Sequence, residues 1–122
     1  MRWRRRKLRE SELNEVLLNE FPELKEAFDE YASWQDGMDT GCFLTYEDLL
    51  LPRIRKAFRD CDDRFLKRAC HFVEYLLTMG DAYAENVATV GILEGVKTAE
   101  DARVVRAYLG PTSLEVFGDP TL

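Results

Sequence analysis

A chain of 122 residues, 46% hydrophobic and 33% charged, is long enough to bury one core and sits outside the composition range of disordered chains. Its apolar runs, such as Leu49–Leu51, fall far short of the roughly 20 residues a membrane span needs. The chain turns acidic, not apolar, after Arg9, so no signal-peptide core is expected and a cytoplasmic location is. The three cysteines, Cys42, Cys61 and Cys70, contain no Cys-x-x-Cys pair and are expected to be simple buried or half-buried thiols.

The net charge of −6 is unevenly spread. Residues 1–9 carry Arg2, Arg4, Arg5, Arg6, Lys7 and Arg9 and no acid, and are expected to form a flexible basic tail (Trp3 among them). Residues 10–48 carry twelve acids against Lys25 alone. Residues 49–69 reverse to seven bases against Asp60, Asp62 and Asp63, and residues 70–122 hold eight acids and three bases. Residues 10–122 read as a single helical domain.

In chain order, Ser11 is a candidate N-cap, followed by Leu13, Val16, Leu17 and Phe21 at helical spacing. Pro22 marks a break or kink, and Leu24, Phe28 and Tyr31 continue the stripe, giving two helices or one bent helix to about residue 34. Gln35 to Gly41 is the clearest loop. Thr45 with Asp48 resembles a capping box, and Pro52 is expected to interrupt or restart the helix that follows. Asp62 caps the strongest amphipathic helix, from Phe65 to Leu77, which Gly80 ends. Asp81 caps a helix over about 82–96 that is apolar nearly all round and therefore expected to be central. Its Ala84, Ala88, Gly91 and Gly95 would let a neighbouring backbone approach. Thr98 with Asp101 suggests another capping box, Gly110-Pro111 stops that helix, and Leu114 and Phe117 are expected to fold back as a lid. No segment alternates with period two, so the fold expected is all-α, with six or seven short antiparallel helices.

Chemistry-bearing motifs are scarce. His71 and Glu74 share one helix face, but a carboxylate-bridged di-iron bundle needs a second such pair, and the chain has one histidine. Cys42, Cys61, Cys70 and His71 form a formal zinc set without the usual ligand spacing. There is no nucleophile elbow, catalytic triad or phosphate-cradling glycine loop, so neither enzyme activity, metal nor cofactor is expected. Glu94, inside Val90–Val96, reads as a buried acid, either paired with Arg103 or Arg106 or lining a pocket as a functional group.

The acidic stretch reads differently. A solvated surface mixes both signs, and one-sided charge is useful mainly for attracting a basic partner. Trp34 beside Asp36 and Asp39 has the character of an interface anchor on a charged rim. The candidate contacts are Trp34, Asp36, Asp39, Glu47 and Asp48, with Glu26, Asp29 and Glu30 steering. Nucleic acid is not an expected partner of that acidic body.

Phe21-Pro22-Glu23-Leu24, Thr45 to Pro52, Phe72 to Leu77, Val90 to Glu94 and Leu109-Gly110-Pro111 together resemble a group of small all-helical bacterial proteins, some of them immunity proteins of polymorphic toxin systems. The resemblance implies binding to a cognate toxin domain and blocking of its active site. Two rival readings are an adaptor whose basic tail contacts nucleic acid or membrane, and a helical enzyme using Glu94, Glu74 or His71.

Overall fold

The computed structural model describes residues 8–96 and 99–118, with the side chains of residues 99–101 left aside. Seven continuous helical stretches, a separate 3₁₀ turn (Gly37–Asp39) and no strand occur among the described residues. The seven stretches are α1 (Glu10–Glu20), α2 (Lys25–Ala32, entered through the 3₁₀ turn Pro22–Leu24), α3 (42–60), α4 (Asp63–Thr78), α5 (82–96), α6 (Ala99–Arg106) and α7 (Pro111–Phe117). The expectation of an all-α domain is met.

The core follows from the apolar stripes. Leu13 and Leu17 of α1 and Phe21, which caps its end, meet Tyr46, Leu50 and Ile54 of α3 and Phe65, Phe72, Val73 and Leu76 of α4, all buried. Phe21 sits against Phe65 at 5.5 Å and edge-on to Phe72 at 5.2 Å, an arrangement the ring quadrupoles favour. Leu114 packs on this core and Phe117 is buried in it, so the last helix folds back as expected and packs on α4.

Several helix ends match the sequence pattern. Asp62 accepts from the Phe65 amide and Asp81 from the Ala84 amide. Gly80 follows α4 with φ +85°, the left-handed conformation glycine adopts at least cost. Gly91 of α5 packs on Tyr46 of α3, and a side chain at Gly95 would collide with Leu51. That explains the small-residue stripe.

Other expectations fail for identifiable reasons. Helix α1 begins at Glu10, not after Ser11, because Glu12 reaches back to accept from the Arg9 amide. Helix α3 begins at Cys42, and Thr45 is inside it, its buried hydroxyl donating to Asn14 Oδ1 at 2.7 Å. Of the two outcomes expected at Pro52, a break and a restart, the structure has the restart. A π-helical turn over Tyr46–Leu50 precedes it, with the Leu51 amide reaching back to Tyr46 O, and Pro52 then starts the stretch Leu51–Asp60 as a first-turn residue. Helix α5 is not buried all round: Val90 is 51% exposed, and Asn86 and Glu94 also face outward. The Thr98/Asp101 capping box and residues 1–7 lie outside the described residues. Leu8, at the end of the basic head, packs on the core and its amide donates to Asp81 Oδ2 at 2.7 Å.

Candidate functional site

The region around the 33–41 loop is built on one buried amide. Asn14 interrupts the apolar stripe of α1 and is fully buried. Its Nδ2 donates to Met38 O at 3.0 Å and Thr40 O at 2.8 Å, and its Oδ1 accepts from the hydroxyl of Thr45 and the thiol of Cys42. Every polar position of the side chain is used, which a buried amide requires. The loop is therefore held by its carbonyls; Thr40 is buried beneath it, and residues 33–39 are exposed. Glu10 adds a second tie, accepting from the Cys42 amide at 2.8 Å and so capping α3, whose own cap position is Gly41. The Tyr83 hydroxyl donates to the same carboxylate.

A third tie joins α2 to α3. The Tyr31 hydroxyl donates to Asp48 Oδ2 at 2.7 Å. Burial, together with the carboxylates of Asp48 and Glu47, pushes the Tyr31 hydroxyl up to about 12, so this donor keeps its proton across the physiological range. Glu47 and Asp48 thus lie alongside the last turn of α2, one turn before Trp34.

Trp34 is 85% exposed, so it is no part of the core, and Met38 of the same loop is 40% exposed. Glu26, Asp29, Glu30, Asp36, Asp39, Glu47 and Asp48 are all exposed. Among these seven described carboxylates only Asp29 has a cation against it, Lys25 at 2.5 Å. The expected contacts on the loop, on α2 and at the start of α3 are thereby brought to one region. Tyr31, Asn14 and Met38 belong to it and were not foreseen. The signal for Asn14 was present in the sequence, as an amide where the stripe calls for an apolar residue.

The other candidate acids behave differently. Glu94 is exposed on the 3₁₀ turn Glu94–Val96, so the buried acid does not exist; its run of apolar neighbours is buried on the opposite side of the turn. Arg103 and Arg106 make no ion pair with it among the described residues, and Arg106 donates instead to Gly118 O. Glu74 caps α7 from a different helix. Its carboxylate accepts from the Ser113 amide and hydroxyl, both at 2.8 Å, and from the Thr112 amide at 3.2 Å. Partial burial pushes its pKa up, but those donors outweigh it and hold the group below the ordinary glutamate value. Gly110, the cap residue, leaves room for that carboxylate, which would overlap any Cβ placed there.

His71 is exposed on α4 between two shallow grooves of about 680 and 360 Å³. Cys42 and Cys70 are buried and Cys61 is exposed, which corrects the expectation for Cys61. Burial pushes the Cys70 thiol up to about 12 and raises Cys42 also, so neither is an activated thiolate. Among the described residues no three histidine, cysteine or acidic side chains are placed to hold a metal ion, and the formal zinc set is not assembled. No helix among them is long and apolar enough to cross a membrane.

A family model described as a domain of unknown function, DUF7674, matches residues 14–120. The chain belongs to this family. Searches of curated proteins and of solved structures returned no match. The matched span takes in Asn14, the 33–41 loop and the Glu74–Ser113 cap alike, so the loop region is part of the family's domain and no appendage to it.

Proposed function

We propose that this DUF7674 domain works by binding a basic protein through the face formed by α2, the 33–41 loop and the start of α3, with Trp34 as its anchor. The observation that carries the reading is the exposure of Trp34, at 85%, on a loop whose backbone is clamped by a buried amide. An indole left in water forgoes about 2 kcal/mol or more of burial, and protein interfaces recover such a cost on complexation. The surrounding carboxylates, nearly all without a cation among the described residues, repel one another in the free protein and are relieved by a basic partner.

Within this reading the partner is a cognate toxin domain with a basic cleft, as the resemblance to immunity proteins implies, and the face blocks that cleft. The site is protein-binding and not catalytic: Trp34, Asp36, Asp39, Glu47 and Asp48 make contact, and Glu26, Asp29 and Glu30 speed the encounter.

The test is affinity capture with the wild-type chain and with two variants, Trp34→Ala and the charge reversal Asp36→Lys/Asp39→Lys. Proteins retained by the first and lost by both variants are expected to be basic, to associate more slowly as salt is raised, and to lose activity in the complex. A partner whose binding ignores both ionic strength and the reversal of Asp36 and Asp39 would contradict the proposal.

A further inference from the structure

Beside Trp34 a shallow groove of about 260 Å³ runs between α2 and the loop. Its floor is Phe28 and Ala32, one wall is the Lys25–Asp29 pair and Ser33, and the other is Gly37 and Met38. Gly37 has φ +61° and nothing within 4 Å of where a Cβ would stand, so the groove is open on that side. Trp34 follows Ser33 of the wall in the chain, and Asp36 precedes Gly37.

We infer that this groove receives an arginine side chain of the partner; the inference rests on the protein-binding reading above. The floor and the Met38 thioether suit the aliphatic stem of a long cationic residue, which packs on apolar surface while its head stays polar. The opposite charge is at hand: Asp29 lines the groove, Asp36 precedes Gly37 of its wall in the chain, and Glu26 and Glu30 lie on the same helix as Asp29. Asp29 already holds a cation, Lys25, at 2.5 Å, with both side chains more than half exposed. Such an exposed pair is weak, so exchanging Lys25 for an incoming cation costs little. Arginine fits better than lysine for two reasons. Its guanidinium offers parallel N–H donors to a carboxylate, and its flat face stacks on an exposed indole, for which Trp34 is adjacent.

The experiment titrates the full chain carrying Trp3→Phe, which leaves Trp34 as its one tryptophan, with two peptides of equal length. One alternates glycine with arginine and the other glycine with lysine. The arginine peptide is expected to change Trp34 emission and to bind about fivefold more tightly than the lysine peptide. Asp29→Asn and Met38→Ala, both at exposed positions, are each expected to weaken the arginine peptide about threefold or more while leaving the helical circular dichroism unchanged. Equal binding of the two peptides, or binding of neither, would overturn the inference. So would indifference to both substitutions. If binding then still fell on Asp36→Lys/Asp39→Lys, the acidic-face reading would survive without the groove; if it did not, both would fall.

Discussion

Two populations of carboxylate divide this molecule, and their net charge gives no hint of the division. On one side stand Glu10, Glu23, Glu74, Asp62 and Asp81, each taken up by the fold. Glu10 and Glu74 cap helices α3 and α7 from a distance, Asp62 and Asp81 cap their own helices, and Glu23 grips Arg68 at 2.7 and 2.9 Å. Arg68, lying 4.7 Å over the Phe21 ring, holds Glu23 below its ordinary value through those hydrogen bonds. On the other side stand Glu26, Glu30, Asp36, Asp39 and Glu47, exposed and with no cation against them among the described residues. The lesson is that an acidic stretch of sequence is two things at once: helix-capping chemistry, which happens to be negative, and an outward field that no helix end takes up. Part of the basic run over 49–69 serves the first population, since Arg68 and Arg53 meet Glu23 and Asp62.

The comparison can be broken by substitution, and the largest effect is expected where the outward face is anchored. Asn14→Ala leaves two carbonyls of the loop and the Thr45 hydroxyl of α3 without this buried partner and is expected to cost about 3 kcal/mol in urea unfolding. A cost below about 1 kcal/mol would show that the loop is not held by this amide.

Glu74→Ala comes next, at about 2 kcal/mol, since it uncovers the first turn of α7. Its pH dependence separates charge from shape. Glu74 has a folded pKa below its ordinary value near 4.5, so its stabilisation is complete above that value and drains away as pH falls through the depressed folded pKa. Glu74→Gln is therefore expected to be less stable than the wild type at pH 7, with the gap closing in acid. A constant gap from pH 7 to pH 3 would place the effect in packing instead.

The smallest effect is expected at Cys61, which ends α3 in the left-handed conformation with φ +53°, where glycine is the cheaper residue. Cys61→Gly is expected to raise stability by about 0.5 kcal/mol, the relief of strain exceeding the entropy glycine adds to the unfolded chain. A loss in the denaturation midpoint would mean that the thiol makes an unrecognised contribution.

Much of the fold was legible in the sequence, because short-range rules decide it. The stripes of α1, α4 and α7 and the caps at Asp62, Asp81 and Gly80 depend on residues within one turn of each other. What escaped depends on partners far along the chain. Thr45 looked like a cap because nothing local shows that Glu10 starts the helix three residues earlier, 32 positions away. Glu74 stood as a candidate acid only in the rival enzyme reading, and its capping role was hidden because its donors lie 38 and 39 positions on. Glu94 looked buried because its neighbours are, yet a 3₁₀ turn points it outward. For the candidate site, the exposed carboxylates followed from their positions outside the apolar stripes. The Tyr31–Asp48 tie arises only when α2 packs beside α3, and the groove at Met38 only when the loop folds back on α2.

The central claim is that the outward carboxylates are held for a partner and not for the fold. It is tested most directly by the urea unfolding of one variant, Glu26→Gln/Glu30→Gln/Asp36→Asn/Asp39→Asn/Glu47→Gln, which spares Asp29 and Asp48 because each has a partner within the chain. Removing five mutually repelling charges is expected to leave this variant at least as stable as the wild type at low salt, with the difference shrinking as salt is added. A loss of more than about 1 kcal/mol would show that these acids support the fold after all, and would contradict the account.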